Sequence, residues 1–317
     1  MIKILALIFF LVELLNCYNS TDFDVAIIGA GPGGLSAALA LSKLGISVGV
    51  FEKAKEFRPI GAALGMNIDG YESLKAIGGE KLASRVRRLS ANIDDQLLMR
   101  PNGEVLYSGE SPLKGTPFTW LAWYTIQTCL KESLSLSVKI FMNCKLQSFQ
   151  EFPDEGFVHL NFSSTPLNIR TRLLIGADGY NSVVRAATVG DGSPLYTGTM
   201  TWRGIIKKSS FKNKDIINSF PFQNNCGFQT IVGNRKNFWF MDCGPDLLAW
   251  TATALQDDNA KSDNAQQTVL KTFDEFPEVA KTLMQATDPT AIVETGVYDR
   301  FPVQRWYTNS MICVKLY

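Results

Sequence analysis

An α/β fold is predicted by three features of the sequence. A glycine-rich turn stands between an apolar strand and an Ala/Leu-rich helix, an acid ends the next strand, and later segments alternate as antiparallel strands do. With 317 residues, 46% of them hydrophobic and 19% charged, the chain has room for one or two domains with sizeable cores. Its 31 Lys+Arg against 30 Asp+Glu leave a formal charge of +1, so no broad basic field exists to hold nucleic acid. Any His-based metal site or catalytic triad would have to rest on His159, the only histidine of the chain. The six cysteines, Cys17, Cys129, Cys144, Cys226, Cys243 and Cys313, are widely spaced without a C-x-x-C pair and read as reduced, buried thiols.

The opening segment has one early basic residue, Lys3, then an apolar run over residues 4–15 broken by Glu13. That run is shorter than the ~20 residues of a spanning helix and reads as a signal peptide within residues 1–20, for secretory entry or the first step into a complex plastid. An uncleaved anchor or a buried first helix are the alternatives. No later segment is long and apolar enough to predict a membrane span in the mature chain.

Residues 24–28 read as a buried strand, followed by Gly29-Ala30-Gly31-Pro32-Gly33-Gly34 and a helix over residues 35–44 that Gly45 ends. A second strand over residues 46–51 leads into Glu52, which lies 23 residues after Gly29 and completes a compact βαβ unit. Gly29 permits the tight turn, Gly31 lets backbone approach a pyrophosphate, and Gly34 lets the helix pack on the strand. The helix N-terminus favours the anion, and Glu52 accepts hydrogen bonds from an adenosine ribose while repelling a 2′-phosphate. NAD and FAD share that half-molecule, so this unit leaves both open, and a glycine turn serving packing alone is the plain alternative.

Residues 157–162 alternate with Val158, Leu160 and Phe162 on one face, which puts His159 on the polar face as a solvated strand residue. After a turn at residues 163–166, a strand returns over residues 167–171, and residues 172–175 lead into Gly176-Ala177-Asp178-Gly179, with Ser182 and Arg185 opening a helix. A helix is expected from about residue 120 to 134, with Ile126, Leu130 and Leu134 as its core stripe. Strands are expected over residues 196–207, 227–233, 237–243 and 247–255, and helices over residues 264–276 and 277–286.

Taken together, the unit from Gly29 to Glu52, the Gly176-Ala177-Asp178-Gly179 element with Ser182 and Arg185, and the segment at residues 58–65 resemble the group A flavoprotein monooxygenases. This is the para-hydroxybenzoate hydroxylase-like family that includes salicylate hydroxylases and zeaxanthin epoxidases. Trp202-Arg203-Gly204, Asp299-Arg300-Phe301-Pro302 and Trp306 support the likeness, which covers residues 22–314. It implies a Rossmann-like three-layer FAD-binding domain from residues 21–93, 120–189 and 296–317, interleaved with an antiparallel-sheet substrate domain from residues 94–119 and 190–295.

The resemblance further implies FAD as resident cofactor and NAD(P)H as co-substrate. It places Gly29, Gly31, Gly33, Gly34, Glu52, Lys53, Arg58, Gly61, Asp178 and Gly179 at the cofactor, and Trp202 and Arg203 are substrate-side candidates. Trp123 stands where many relatives carry an arginine that contacts FAD. The implied reaction is hydroxylation or epoxidation of an apolar aromatic or polyene molecule through a flavin hydroperoxide. The family's next Gly-Asp element is expected after Val314, where the chain reads Lys315-Leu316-Tyr317, so a truncated and inactive form is an expectation too. A non-enzymatic ADP- or FAD-binding remnant and another flavin oxidoreductase, a reductase or halogenase, are the competing readings.

Overall fold

The structure is a computed structural model that describes residues 21–59, 61–163, 168–211, 227–257, 261–303 and 305–313. The expected signal peptide at residues 1–20, the turn residues 164–166 and the end of the chain after Cys313 lie outside the described residues. The chain divides into two compact units, one from residues up to Phe57 with Leu130–Gly192 and those from Phe301, the other from Arg58–Cys129 and Ser193–Arg300.

The first unit is built on a mixed, mostly parallel sheet. Strand β1 (Phe23–Ile28) is buried along nearly its whole length, as a Val/Ile-rich strand at the centre of a parallel sheet must be. It pairs in parallel with β2 (Val48–Phe51) on one side and β10 (Asn168–Gly176) on the other, and β7 (Lys139–Phe141) extends the sheet beyond β2. The far edge of β10 is shared. Its first half pairs antiparallel with β9 (Phe157–Phe162), which carries β8 (Leu146–Phe152), and its last three residues pair in parallel with β16 (Met311–Cys313). Helix α1 (Pro32–Lys43) starts with proline at its first turn, where the missing N–H removes no helical bond, and buries Leu35, Ala38 and Leu39. Phe51 closes one part of the core by stacking on Phe141 at 4.9 Å and Phe162 at 4.8 Å, and its full burial stabilises the unit by about 1.5–3 kcal/mol.

The second unit carries a seven-stranded sheet in the order β15 (Val293–Asp299), β11 (Leu195–Lys207), β14 (Leu247–Leu255), β13 (Lys236–Gly244), β12 (Gly227–Val232), β4 (Asp95–Met99) and β5 (Val105–Glu110). Five of its six pairings are antiparallel, and β12 with β4 is the parallel one. Helices α6 (Ala265–Thr272) and α7 (Glu278–Ala286) close one face, where Trp202, Phe238, Phe240 and Trp250 meet Phe273, Phe276 and Leu283. A two-stranded ribbon of β3 (Ala63–Met66) and β6 (Thr119–Ala122), with helices α2 (Ile68–Gly78) and α3 (Glu80–Arg88), completes this unit, and α4 (Trp123–Glu132) leads the chain back to the first.

Two expectations change. Residues 120–122, expected to start a helix, belong instead to a strand, because Leu121 and Ala122 are buried where β6 pairs with β3. Residues 58–93, 120–129 and 296–300 fall in the second unit rather than with the nucleotide-binding sheet, and residues 190–192 in the first; Ile93 and Ala122 pack in one cluster with Met241, Cys243 and Ala249. The described cysteines, Cys129, Cys144, Cys243 and Cys313, are buried thiols. Among the described residues no helix is long and apolar enough to cross a membrane.

Candidate cofactor cradle and substrate face

In the first unit the carboxyl ends of β1, β2 and β10 come together, the place where open α/β sheets bind ligands. The Gly29 amide donates to Phe51 O at 2.8 Å, and the Ala177 amide donates to Ile28 O at 2.8 Å, so the first glycine motif is tied to the end of β2 and the second to the end of β1. Gly29 adopts φ +103, and a Cβ there would stand 2.8 Å from the Ala177 carbonyl carbon and closer still to its oxygen. A Cβ on Gly34 would stand 3.1 Å from the Gly29 carbonyl carbon, again with the oxygen nearer. Only glycine lets turn, helix and second motif approach this closely.

Helix α1 has Gly31 at its N-cap and no side chain capping it, and Pro32 follows. The first amides of a helix have no intrahelical partner, so the Gly33 and Gly34 N–H groups and the positive end of the dipole are set for an anion. Glu52 stands at the end of β2 beside them. Its Oε2 accepts from the Ala30 amide and its Oε1 from the Ala54 amide, both at 2.8 Å. Each carboxylate oxygen keeps a lone pair beyond those bonds, which suits the two hydroxyls of a ribose. The donor set and the glycine-only approach therefore fit the adenosine diphosphate half of FAD.

Asp178 opens helix α5 (Val183–Val189). Its carboxylate accepts from the Ser182 hydroxyl and from the Val183 amide at 2.7 Å, and Ser182 accepts from the Arg185 amide at 2.9 Å. Gly179 takes φ +79 with open space where a Cβ would be, so its glycine serves backbone conformation rather than packing. Arg185 is buried and tied to Asp191 at 3.2 Å and to Tyr180 O at 2.7 Å, which fixes the loop on the far side of the cap. Lys53 is exposed next to Glu52.

Arg58 and Gly61 belong to the second unit. Arg58 is exposed; Gly61 has φ +126, and the Trp123 amide donates to Ala62 O at 2.9 Å, which ties this loop to the first turn of α4. Trp202 and Arg203 point to opposite faces of β11, as neighbours on a strand do. Trp202 is fully buried under α6, and its indole N–H donates to Glu294 Oε1 at 2.8 Å. It is a core residue, not a substrate-facing one. Gly204 has a packing reason, since a Cβ there would meet the Trp250 indole nitrogen at 2.5 Å.

Arg203 is half-buried on the other face, where its Nη2 donates to Thr295 Oγ1 at 3.2 Å, and burial lowers its pKa from the ordinary value. Around it lie Thr201, Thr251, Thr253 and Trp239, which sequence reasoning missed because only the strand register brings them to one face.

The glycine cradle at the ends of β1, β2 and β10 defines a protein of the dinucleotide-binding α/β class. The family model described as FAD binding domain matches residues 22–287, and the chain belongs to that family of FAD-dependent monooxygenases. The chain is 26% identical over 291 residues to aurachin C monooxygenase/isomerase of Stigmatella aurantiaca, covering 90% of this chain and 71% of that one. It is 31% identical over 194 residues to 3-hydroxybenzoate 6-hydroxylase 1 of Aquipseudomonas alcaligenes, covering 58% and 47%. It is 25% identical over 296 residues to the chloroplastic zeaxanthin epoxidase of Prunus armeniaca, covering 89% and 42%. The matches thus span less than half the length of the latter two relatives. The crystal structure of Klebsiella pneumoniae HpxO complexed with FAD and uric acid shares the fold, with a TM-score of 0.74 at 21% identity over 94% of this chain and 74% of that one.

Proposed function

We propose that the chain catalyses NAD(P)H-dependent insertion of one atom of O₂ into an aromatic ring or a double bond of a small, flat molecule. Two electrons come from the nicotinamide hydride and two from the substrate; one oxygen atom enters the product and the other leaves as water. Bound FAD supplies the O₂ chemistry that no side chain offers.

The residues divide the remaining work. Gly29, Gly31, Gly33 and Gly34 hold the pyrophosphate on the N-terminus of α1, Glu52 fixes the ribose, and Asp178 with Gly179 shapes the adjoining strand-to-helix turn. Lys53, Arg58 and Gly61 serve the cofactor from their loops, and Arg203 faces the substrate. The observation that carries the reading is Glu52, which holds the glycine turn through Ala30 while each oxygen keeps room for a ribose hydroxyl. The relatives are named for aurachin C, 3-hydroxybenzoate and zeaxanthin, and those three compounds are the substrates to test.

Turnover under ¹⁸O₂ with NADH or NADPH tests the reaction. One labelled atom in the product is the expected result; NAD(P)H-dependent conversion without label would replace the reading with a flavin reductase. Residues 1–20 are proposed to target the chain to the secretory pathway or a complex plastid, supported by their basic start and apolar run and by the chloroplastic relatives. A fluorescent fusion that stays in the cytosol with these residues attached would refute this.

A further inference from the structure

Two asparagines of the chain open the triplet Asn-x-Ser/Thr with a residue other than proline in the middle, Asn19-Ser20-Thr21 and Asn161-Phe162-Ser163. In a chain that enters the endoplasmic reticulum this triplet accepts an N-linked oligosaccharide. Asn19 falls within the expected signal peptide and outside the described residues. Asn161 is near the end of β9, where alternation along the strand decides which way it points. Val158, Leu160 and Phe162 pack into the core of the first unit, so His159 and Asn161 take the opposite face.

That face is polar and open. Asn161 stands opposite Ser148 of β8 and Asn168 of β10, and His159 stands opposite Gln150 and Arg170. Ser148, Gln150, Asn168 and Arg170 are all exposed, so a sugar on the Asn161 amide leads into solvent and displaces no core group. One residue either way, at Leu160 or Phe162, the same amide would be buried. Asn161 Nδ2 donates to Ser148 Oγ at 3.4 Å, near the long limit of a hydrogen bond. Glycosylation replaces one of the two Nδ2 hydrogens and leaves the other for Ser148. The fold also sets the timing. The Ser163 amide and hydroxyl both donate to Lys145 O, at 3.0 and 3.4 Å, so the serine of the triplet is tied down once this part of the sheet has formed. The sugar must therefore be added while the chain is still unfolded.

We propose that Asn161 carries an N-linked oligosaccharide. The donor is a lipid-linked oligosaccharyl diphosphate. Its sugar C1–O bond to the diphosphate breaks, a C1–Nδ2 bond forms, the amide gives up one proton, and the lipid diphosphate leaves. No oxidant or reductant takes part. The glycan then covers the polar face beside β8, the strand at the edge of the sheet. This modification requires the secretory entry proposed above, which the route to a complex plastid shares, and it is independent of the flavin chemistry.

Cell-free translation of the full chain with endoplasmic-reticulum microsomes, followed by protease and then endoglycosidase H, tests it. The expected product is protected from protease, and endoglycosidase H lowers its mass. Asn161→Gln should remove one glycan from the protected chain. Ser163→Ala should do the same although the asparagine remains, whereas Ser163→Thr should keep the glycan. The modification precedes folding, so a variant that folds poorly is still scored. A protected chain that carries no glycan, or whose glycan number is unchanged by Asn161→Gln or by Ser163→Ala, overturns the proposal and leaves secretory entry standing. A chain that is never protected defeats secretory entry and the glycan together.

Discussion

Replacing Gly29 with alanine tests the close approach on which the cradle depends. The new Cβ would lie 2.8 Å from the Ala177 carbonyl carbon and 3.1 Å from Asp178 Cα, where ordinary contact begins at 3.4 Å, and all these neighbours are backbone. Nothing flexible can swing away, so the end of β10 or the glycine turn must shift. An alanine held at φ +103 adds its own strain, of about 1–3 kcal/mol. Overpacking against a fixed neighbour costs a further ~1–3 kcal/mol. The total of roughly 2–6 kcal/mol is a large part of a folded domain's 5–15 kcal/mol. Gly45→Ala is the control. Gly45 also has a positive φ, +78, but has nothing within 4 Å of a Cβ, so that variant loses only the backbone strain of about 1–2 kcal/mol. Urea denaturation of the full chain compares the two, with FAD affinity from flavin fluorescence alongside. Gly29→Ala should lose more stability than Gly45→Ala and bind FAD more weakly. Equal losses in the two variants would refute the close-approach argument.

Other perturbations address separate parts of the account. Glu52→Gln leaves one of the Ala30 and Ala54 amides facing an NH₂ group, removing a charge-assisted bond of about 1.5–3 kcal/mol; flavin fluorescence titration should show FAD affinity falling by roughly tenfold or more. Trp202→Phe strips the buried Glu294 carboxylate of one donor and should cost about 1–3 kcal/mol in urea denaturation, while the FAD content of the folded chain stays unchanged, as a core role requires. Burial pushes the Cys243 thiol up to about 12 from an ordinary 9.0, so the folded state holds its proton where the unfolded chain releases it. That contribution is full below pH 9 and is lost as pH rises toward 12, by at most about 1.4 kcal/mol per pH unit. Urea midpoints between these pH values should fall with rising pH, and Cys243→Ala should flatten the slope.

The cofactor cradle was legible because its chemistry is local. Strand, glycine turn, helix and Glu52 follow one another within one βαβ unit, and each residue type carries its own reason. The contact between Gly29 and Ala177 was not legible, since it comes from the parallel pairing of β1 with β10, far apart in sequence. Alternation along β11 separates Trp202 from Arg203, but which face the helices close is decided by the packing of Phe273 and Leu283 against Trp202. The same limit hid the ribbon of β3 and β6. Four-residue strands give too short a pattern to outweigh the apolar spacing of Ile126 and Leu130, which drew residues 120–122 into the expected helix. The boundary between units moved for a related reason, as Ile93 and Ala122 found their partners on β13 and β14.

The claim that this chain carries an FAD-binding monooxygenase unit is tested most directly by the flavin content of the purified full chain, before and after reconstitution with FAD. One FAD per chain, released by denaturation and lost in Gly29→Ala, is the result the cradle predicts. A folded, soluble chain that takes up no FAD at saturating concentration would contradict it.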